Sequence, residues 1–188
     1  MYFHLVFPQG VGSKKSNSVL DTLNCIKHIH SLRFSTPALS VLHAVSSGAL
    51  IAARTAQALP GVVNKLVLRF PFLDLHSAMS DPGLTLSTEE KEEWGCDPVF
   101  PVSSDDVQTN SEVFISVAGS DRRTPPWHTA NYLTSLRNKE RVYVNLLKDA
   151  DHTGFDEEAY RIETSFILDD KSNSSTFWDK LRGNLFSR

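Results

Sequence analysis

The chain has 188 residues, of which 40% are hydrophobic, 10% aromatic and 22% charged, enough for one globular domain with a substantial core. Its net charge of −3 comes from interspersed acids and bases, so it offers no electrostatic footprint for nucleic acid. No apolar run approaches the roughly 18–20 residues that cross a bilayer, so no membrane span is expected.

The elements follow from the apolar spacing. Residues 1–17 read as irregular, with Gly10, Gly12, Ser13, Ser16 and Asn17 as loop-formers. Ser18 is placed to cap a helix in which Leu20, Leu23 and Ile26 recur at helical spacing, ending near Leu32. Ser35-Thr36-Pro37 breaks it, and residues 38–44 then read as a strand. The Ala-rich residues 47–58 predict a helix closed by Leu59-Pro60-Gly61, and Lys65–Phe70 a buried strand. Asp81-Pro82-Gly83 is a turn, and Ser87 with Glu90 forms a capping box before a charged helical turn to Trp94. Residues 96–111 read as a loop, Val113–Ala118 as a strand, 126–138 as a helix and Arg141–Leu147 as a strand. Residues 155–168 form a last helix, and a polar tail carries a short amphipathic turn around Phe177, Trp178 and Leu181. Strand and helix alternate throughout, which is the pattern of an α/β fold with a mostly parallel sheet.

Candidate chemistry sits at the ends of the predicted strands. Ala44-Val45-Ser46-Ser47-Gly48 lies between a strand and a helix, the setting of a G-x-S-x-G nucleophile elbow. So sharp a turn needs small residues two before and two after the serine, which Ala44 and Gly48 supply. It would expose the Ser46 hydroxyl and aim the Ser47 N–H, at the helix N-terminus, into an oxyanion hole. An ordinary Ser-Gly strand-to-helix turn fits the same residues. Asp121, in Gly119-Ser120-Asp121-Arg122-Arg123, follows another strand and could orient a histidine; taken alone, a helix cap or turn Asp fits better. His152 lies in the polar loop Asp149-Ala150-Asp151-His152-Thr153-Gly154, where a general base stays reachable. The order Ser, Asp, His is that of an α/β-hydrolase, and each residue follows a separate predicted strand. No H-E-x-x-H or Cys/His cluster supports a metal, and no cofactor is expected. Two cysteines, Cys25 and Cys96, suit a reducing compartment, with Cys25 read as a buried thiol. The N-terminal stretch lacks a basic region and is broken by His4, so a cytoplasmic location is expected rather than secretion. Asn173-Ser174-Ser175 matches a glycosylation sequon with nothing else pointing to secretion.

With these residues in view, the chain resembles the catalytic domain of the prolyl oligopeptidase family of serine hydrolases, and within it the prolyl endopeptidase-like branch. The carrying stretches run from Cys25-Ile26-Lys27 to Gly48-Ala49-Leu50, then Phe70-Pro71-Phe72-Leu73-Asp74, then Leu84-Thr85-Leu86 to Glu92-Glu93-Trp94-Gly95. The Asp121 and His152 loops complete a match over residues 13–168. The resemblance implies Ser46 as nucleophile, Asp121 as orienting acid, His152 as general base and Arg123 as a substrate-binding arginine. It implies hydrolysis of peptide or (thio)ester acyl bonds through an acyl-enzyme.

Three departures from the family pattern stand out. Ala44, Val45 and Ala49 replace glycines around the serine. The stretch between Trp94 and Val113 is short. The upstream strands, oxyanion tyrosine and β-propeller of the family cannot be located. The expectation is therefore an N-terminally truncated α/β-hydrolase domain over residues 1–168, with residues 169–188 as a tail carrying a short helix. The competing expectation is a catalytically impaired binding or scaffold module, with a protein partner at the open sheet edge.

Overall fold

The structure, a computed structural model, describes residues 10–81, 83, 91–94, 107–137 and 139–168. Among the described residues, four strands form one parallel sheet: β1 (Val41–Val45), β2 (Lys65–Arg69), β3 (Glu112–Ala118) and β4 (Val142–Leu147). Their spatial order β1-β2-β3-β4 is their chain order, with Val41 opposite Lys65, Lys65 opposite Glu112 and Val113 opposite Val142. The helices are α1 (Ser16–Ser31), α2 (Gly48–Ala58), α3 (Leu75–Ser80), α4 (Lys91–Trp94), α5 (Trp127–Ser135) and α6 (Glu157–Leu168).

Every crossover steps across the sheet in the same direction. Right-handed connection then puts the intervening helices on one face, and α6, following the last strand, covers the other. Side chains alternate accordingly. Leu66, Leu68, Val113, Ile115, Val142 and Val144 face the larger core, which includes Ala49, Leu50, Ala53 and Tyr132. Val67 and Phe114 face Ile162 and Phe166 of α6, with Tyr143 packed alongside.

Several boundaries differ from the sequence reading. α1 begins at Ser16, its N-cap is Lys15, and Ser18 lies inside the helix. Residues Pro37–Leu39 form a 3₁₀ turn and β1 starts at Val41; proline's fixed φ and missing N–H suit a turn rather than a ladder. α3 was not read from the sequence: it is a short helix of six residues capped by Asp74, whose carboxylate accepts the Ser77 N–H. α5 stops at Ser135 because Leu136 leaves it to bridge Val107. Cys25 is half-buried rather than buried. The capping box at Ser87 and Glu90, the turn around Phe177 and the whole 169–188 segment lie outside the described residues.

Candidate active site

Ser46 and Ser47 alone connect β1 to α2. Ser46 has φ +53°, a left-handed conformation that costs a residue with a Cβ about 1–2 kcal/mol. Its N–H donates to the Arg69 carbonyl at 3.0 Å, and its own carbonyl accepts from Phe72 N at 3.0 Å and Ala49 N at 3.1 Å. The turn is thereby pinned between the end of β2 and the first turn of α2. A Cβ on Gly48 would lie 3.9 Å from the Ala44 Cβ, an ordinary contact. Ala44 therefore leaves room for the residue two after the serine.

Asp121 follows β3. Its carboxylate is enclosed by donors: Oδ1 accepts from Arg123 N at 2.8 Å and Thr124 N at 3.0 Å, while Oδ2 lies 2.8 Å from Thr124 Oγ1 and 2.7 Å from His152 Nδ1. The turn reading and the histidine-partner reading of Asp121 thus coexist in one carboxylate. Its side chain is fully buried. Burial pushes the acid up, but the hydrogen bonds from His152, Thr124 and Arg123 outweigh it and hold Asp121 below the usual carboxylate range.

His152 lies in the loop after β4. An ionised Asp121 can only accept, so Nδ1 carries the ring proton. Nε2 is left as an acceptor, 3.0 Å from Ser46 Oγ. The loop is pressed onto its neighbour: a Cβ on Gly119 would sit 2.2 Å from the Lys148 carbonyl oxygen, and Gly119 N donates to Leu147 O at 2.8 Å. Only glycine lets the Asp121 and His152 loops approach this closely.

Sequence reasoning passed over two members of this arrangement. Thr124 Oγ1 lies 3.0 Å from the Phe70 carbonyl and 3.1 Å from His152 Nδ1, linking the ends of β2, β3 and β4. Its signal is the Asp-x-x-Thr spacing of a side-chain-capped turn. Phe70 has φ +46° and its ring lies 5.9 Å from that of His152; no local signal marks it. Nearby, His128 is fully buried, accepts the Asp74 N–H at Nδ1 (3.1 Å) and stacks on Trp127. Burial pushes it down to about 4, against the pull of Asp74 and Asp121.

The remaining expected residues are placed as follows. Ser47 is the N-cap of α2, where the first N–H groups lack intrahelical acceptors. Arg123 is exposed beside Asp121. Among the described residues, no group of three or more His, Cys, Asp or Glu is arranged to hold a metal, and no helix is long and apolar enough to cross a membrane.

A family model described as Peptidase_S9, the prolyl oligopeptidase family, matches residues 8–169. The prolyl endopeptidase-like protein of Xenopus laevis is 33% identical over 146 residues, 72% of this chain and 21% of that protein. The human prolyl endopeptidase-like protein is 34% identical over 167 residues, 84% of this chain and 22% of that protein. The chain therefore spans 21–22% of the length of these two relatives. Among solved structures, oligopeptidase B from Trypanosoma brucei with covalently bound antipain superposes with a TM-score of 0.72 at 21% identity. That match covers 84% of this chain and 25% of the other. Prolyl oligopeptidase B from Galerina marginata gives 0.68 at 16% identity, covering 85% and 24%. At such identities the two structures speak for the shared fold.

Proposed function

The chain belongs to the prolyl oligopeptidase family, and from that premise we propose that it is a serine hydrolase cleaving peptide or (thio)ester acyl bonds through Ser46, His152 and Asp121. One observation carries the reading: a continuous hydrogen-bond line from Ser46 Oγ to His152 Nε2 at 3.0 Å and from His152 Nδ1 to Asp121 Oδ2 at 2.7 Å. Residues 1–168 are the catalytic portion and residues 169–188 a tail.

His152 Nε2 takes the Ser46 hydroxyl proton as Oγ attacks the acyl carbon. The imidazolium that forms is stabilised by the Asp121 carboxylate, and it returns the proton to the leaving amine, alcohol or thiol. Water then repeats the sequence on the acyl-Ser46 ester, releasing the acid and restoring the serine. The Ser47 N–H, at the positive end of α2, donates to the developing oxyanion; one such donor is worth about 10²–10³ in rate. Arg123, exposed beside the triad, binds the substrate's polar groups.

The test is turnover of an acyl thioester and of a peptide p-nitroanilide by the full chain. Ser46→Ala should reduce turnover of whichever is cleaved by about 10³-fold or more. Equal turnover by the parent chain and Ser46→Ala would overturn the reading.

A further inference from the structure

Arg69 is the last residue of β2, and its backbone already serves the elbow, because its carbonyl accepts the Ser46 N–H at 3.0 Å. Its side chain runs the opposite way, onto α6. Nε donates to Glu163 Oε2 at 3.2 Å, and a second guanidinium nitrogen donates to Oε1, making a fork on the carboxylate. The side chains are 13% and 5% exposed, respectively. The guanidinium also stacks 3.7 Å from the centre of the Phe155 ring and 4.6 Å from that of Tyr160. Glu163 has a second partner, His43 Nε2 of β1, at 3.3 Å. Its carboxylate therefore ties α6 to β1, which leads into the elbow, and to β2, whose end holds it.

Phe155 carries this grip into the His152 loop. It stands between that loop and α6, and its ring meets Phe70 edge-on at 5.6 Å, while Phe70 in turn lies 5.9 Å from His152. Near the C-terminal end of α6, Lys65, on the same face of β2 as Arg69, donates to the Phe166 carbonyl at 2.7 Å. β2 thus grips the helix at its middle, through Glu163, and near its C-terminal end, through the Phe166 carbonyl, which limits sliding of α6 along the sheet.

We propose that Arg69 and Glu163 are positioning residues for His152: their ion pair fixes α6, and through Phe155 the His152 loop, against the strand end that holds Ser46. The inference rests on the hydrolase reading for its catalytic consequence, but the geometry it asserts can be read without turnover. A planar, bidentate, stacked guanidinium sets direction as well as distance, which an ammonium at the same place cannot do. Misplacing a base by about 1 Å can cost about 10²-fold in rate.

The experiment uses the full chain, a fluorophosphonate probe and the low-field proton resonance of His152 Nδ1–H. Arg69→Met should label about 10–100-fold more slowly than the parent at a temperature where both are folded. Its Nδ1–H resonance should shift or broaden. Arg69→Lys should recover only part of the rate. A folded Arg69→Met with parental labelling rate and resonance overturns the proposal. If Arg69→Met does not fold, Phe155→Leu decides, since it removes the stacked ring and keeps the ion pair; a parental rate and resonance in that variant overturn the proposal. If the parent itself takes no Ser46-dependent label, the hydrolase reading fails, and the resonance alone decides whether Arg69 positions His152.

Discussion

The two faces of the sheet are built on different chemistry. On one, β2 presents Leu66 and Leu68 to an apolar core shared with α2 and α5. On the other, the same strand presents Lys65, Val67 and Arg69 to α6, and only Val67 is apolar. Apolar burial is non-directional and scales with area, so the first face supplies stability without dictating an orientation to better than a rotamer. Forked hydrogen bonds and capped carbonyls are directional, so the second face supplies register. The catalytic histidine proposed here follows β4 and leads into α6.

The largest predicted effect lies on the apolar face. Phe72 is buried against Trp94 and His128 at 5.4 and 4.9 Å, so Phe72→Ala should cost about 3–5 kcal/mol in urea unfolding. A cost under about 1 kcal/mol would mean that this face is looser than described.

Next comes the buried imidazole on that face. His128 titrates near 4 when folded and near 6.5 when unfolded. Between those values the unfolded chain binds a proton that the folded chain refuses. Stability is therefore fully present above about 6.5 and falls as the pH drops through that interval, by up to about 3 kcal/mol. Chemical denaturation at stepped pH should show the loss, and His128→Gln should flatten the profile across that window. Asp121, Asp74 and Glu163, each held below the ordinary carboxylate range against the cost of burial, add a further loss in stronger acid.

A smaller effect separates stability from chemistry at the elbow. Ser46→Gly relieves a left-handed residue with a Cβ and should raise stability by about 1 kcal/mol while abolishing turnover. A destabilised Ser46→Gly would show that the φ of +53° carries no strain. The smallest stability change sharpens the contrast between the faces. Replacing the ion pair by an apolar pair, Arg69→Met with Glu163→Leu, should leave unfolding free energy within about 1 kcal/mol. Fluorophosphonate labelling should nevertheless slow. Equal labelling would mean that the polar face adds nothing an apolar one lacks.

These differences explain how far the sequence could be read. β2 and α2 were legible because an apolar run and an Ala-rich stretch announce themselves locally. The start of β1 was misplaced because Pro37–Leu39 takes a 3₁₀ turn among residues as apolar as a strand. α3 was missed because six residues are too few to show a period. At the site, Ser46, Asp121 and His152 each follow a strand, and parallel strands put such positions at one edge of the sheet. Thr124 carried only the Asp-x-x-Thr spacing of a capped turn and Phe70 no local signal, since their parts depend on how three loops meet. The Arg69–Glu163 pair joins residues 94 positions apart, and it becomes visible only once β2 and α6 are set face to face.

The central claim is that Ser46 is a nucleophile activated by His152. Peptide mapping of the full chain after reaction with a fluorophosphonate tests it most directly. The account predicts a single adduct on Ser46, lost in His152→Ala. An adduct on any other residue, or one that forms on Ser46 at the parental rate in His152→Ala, would contradict it.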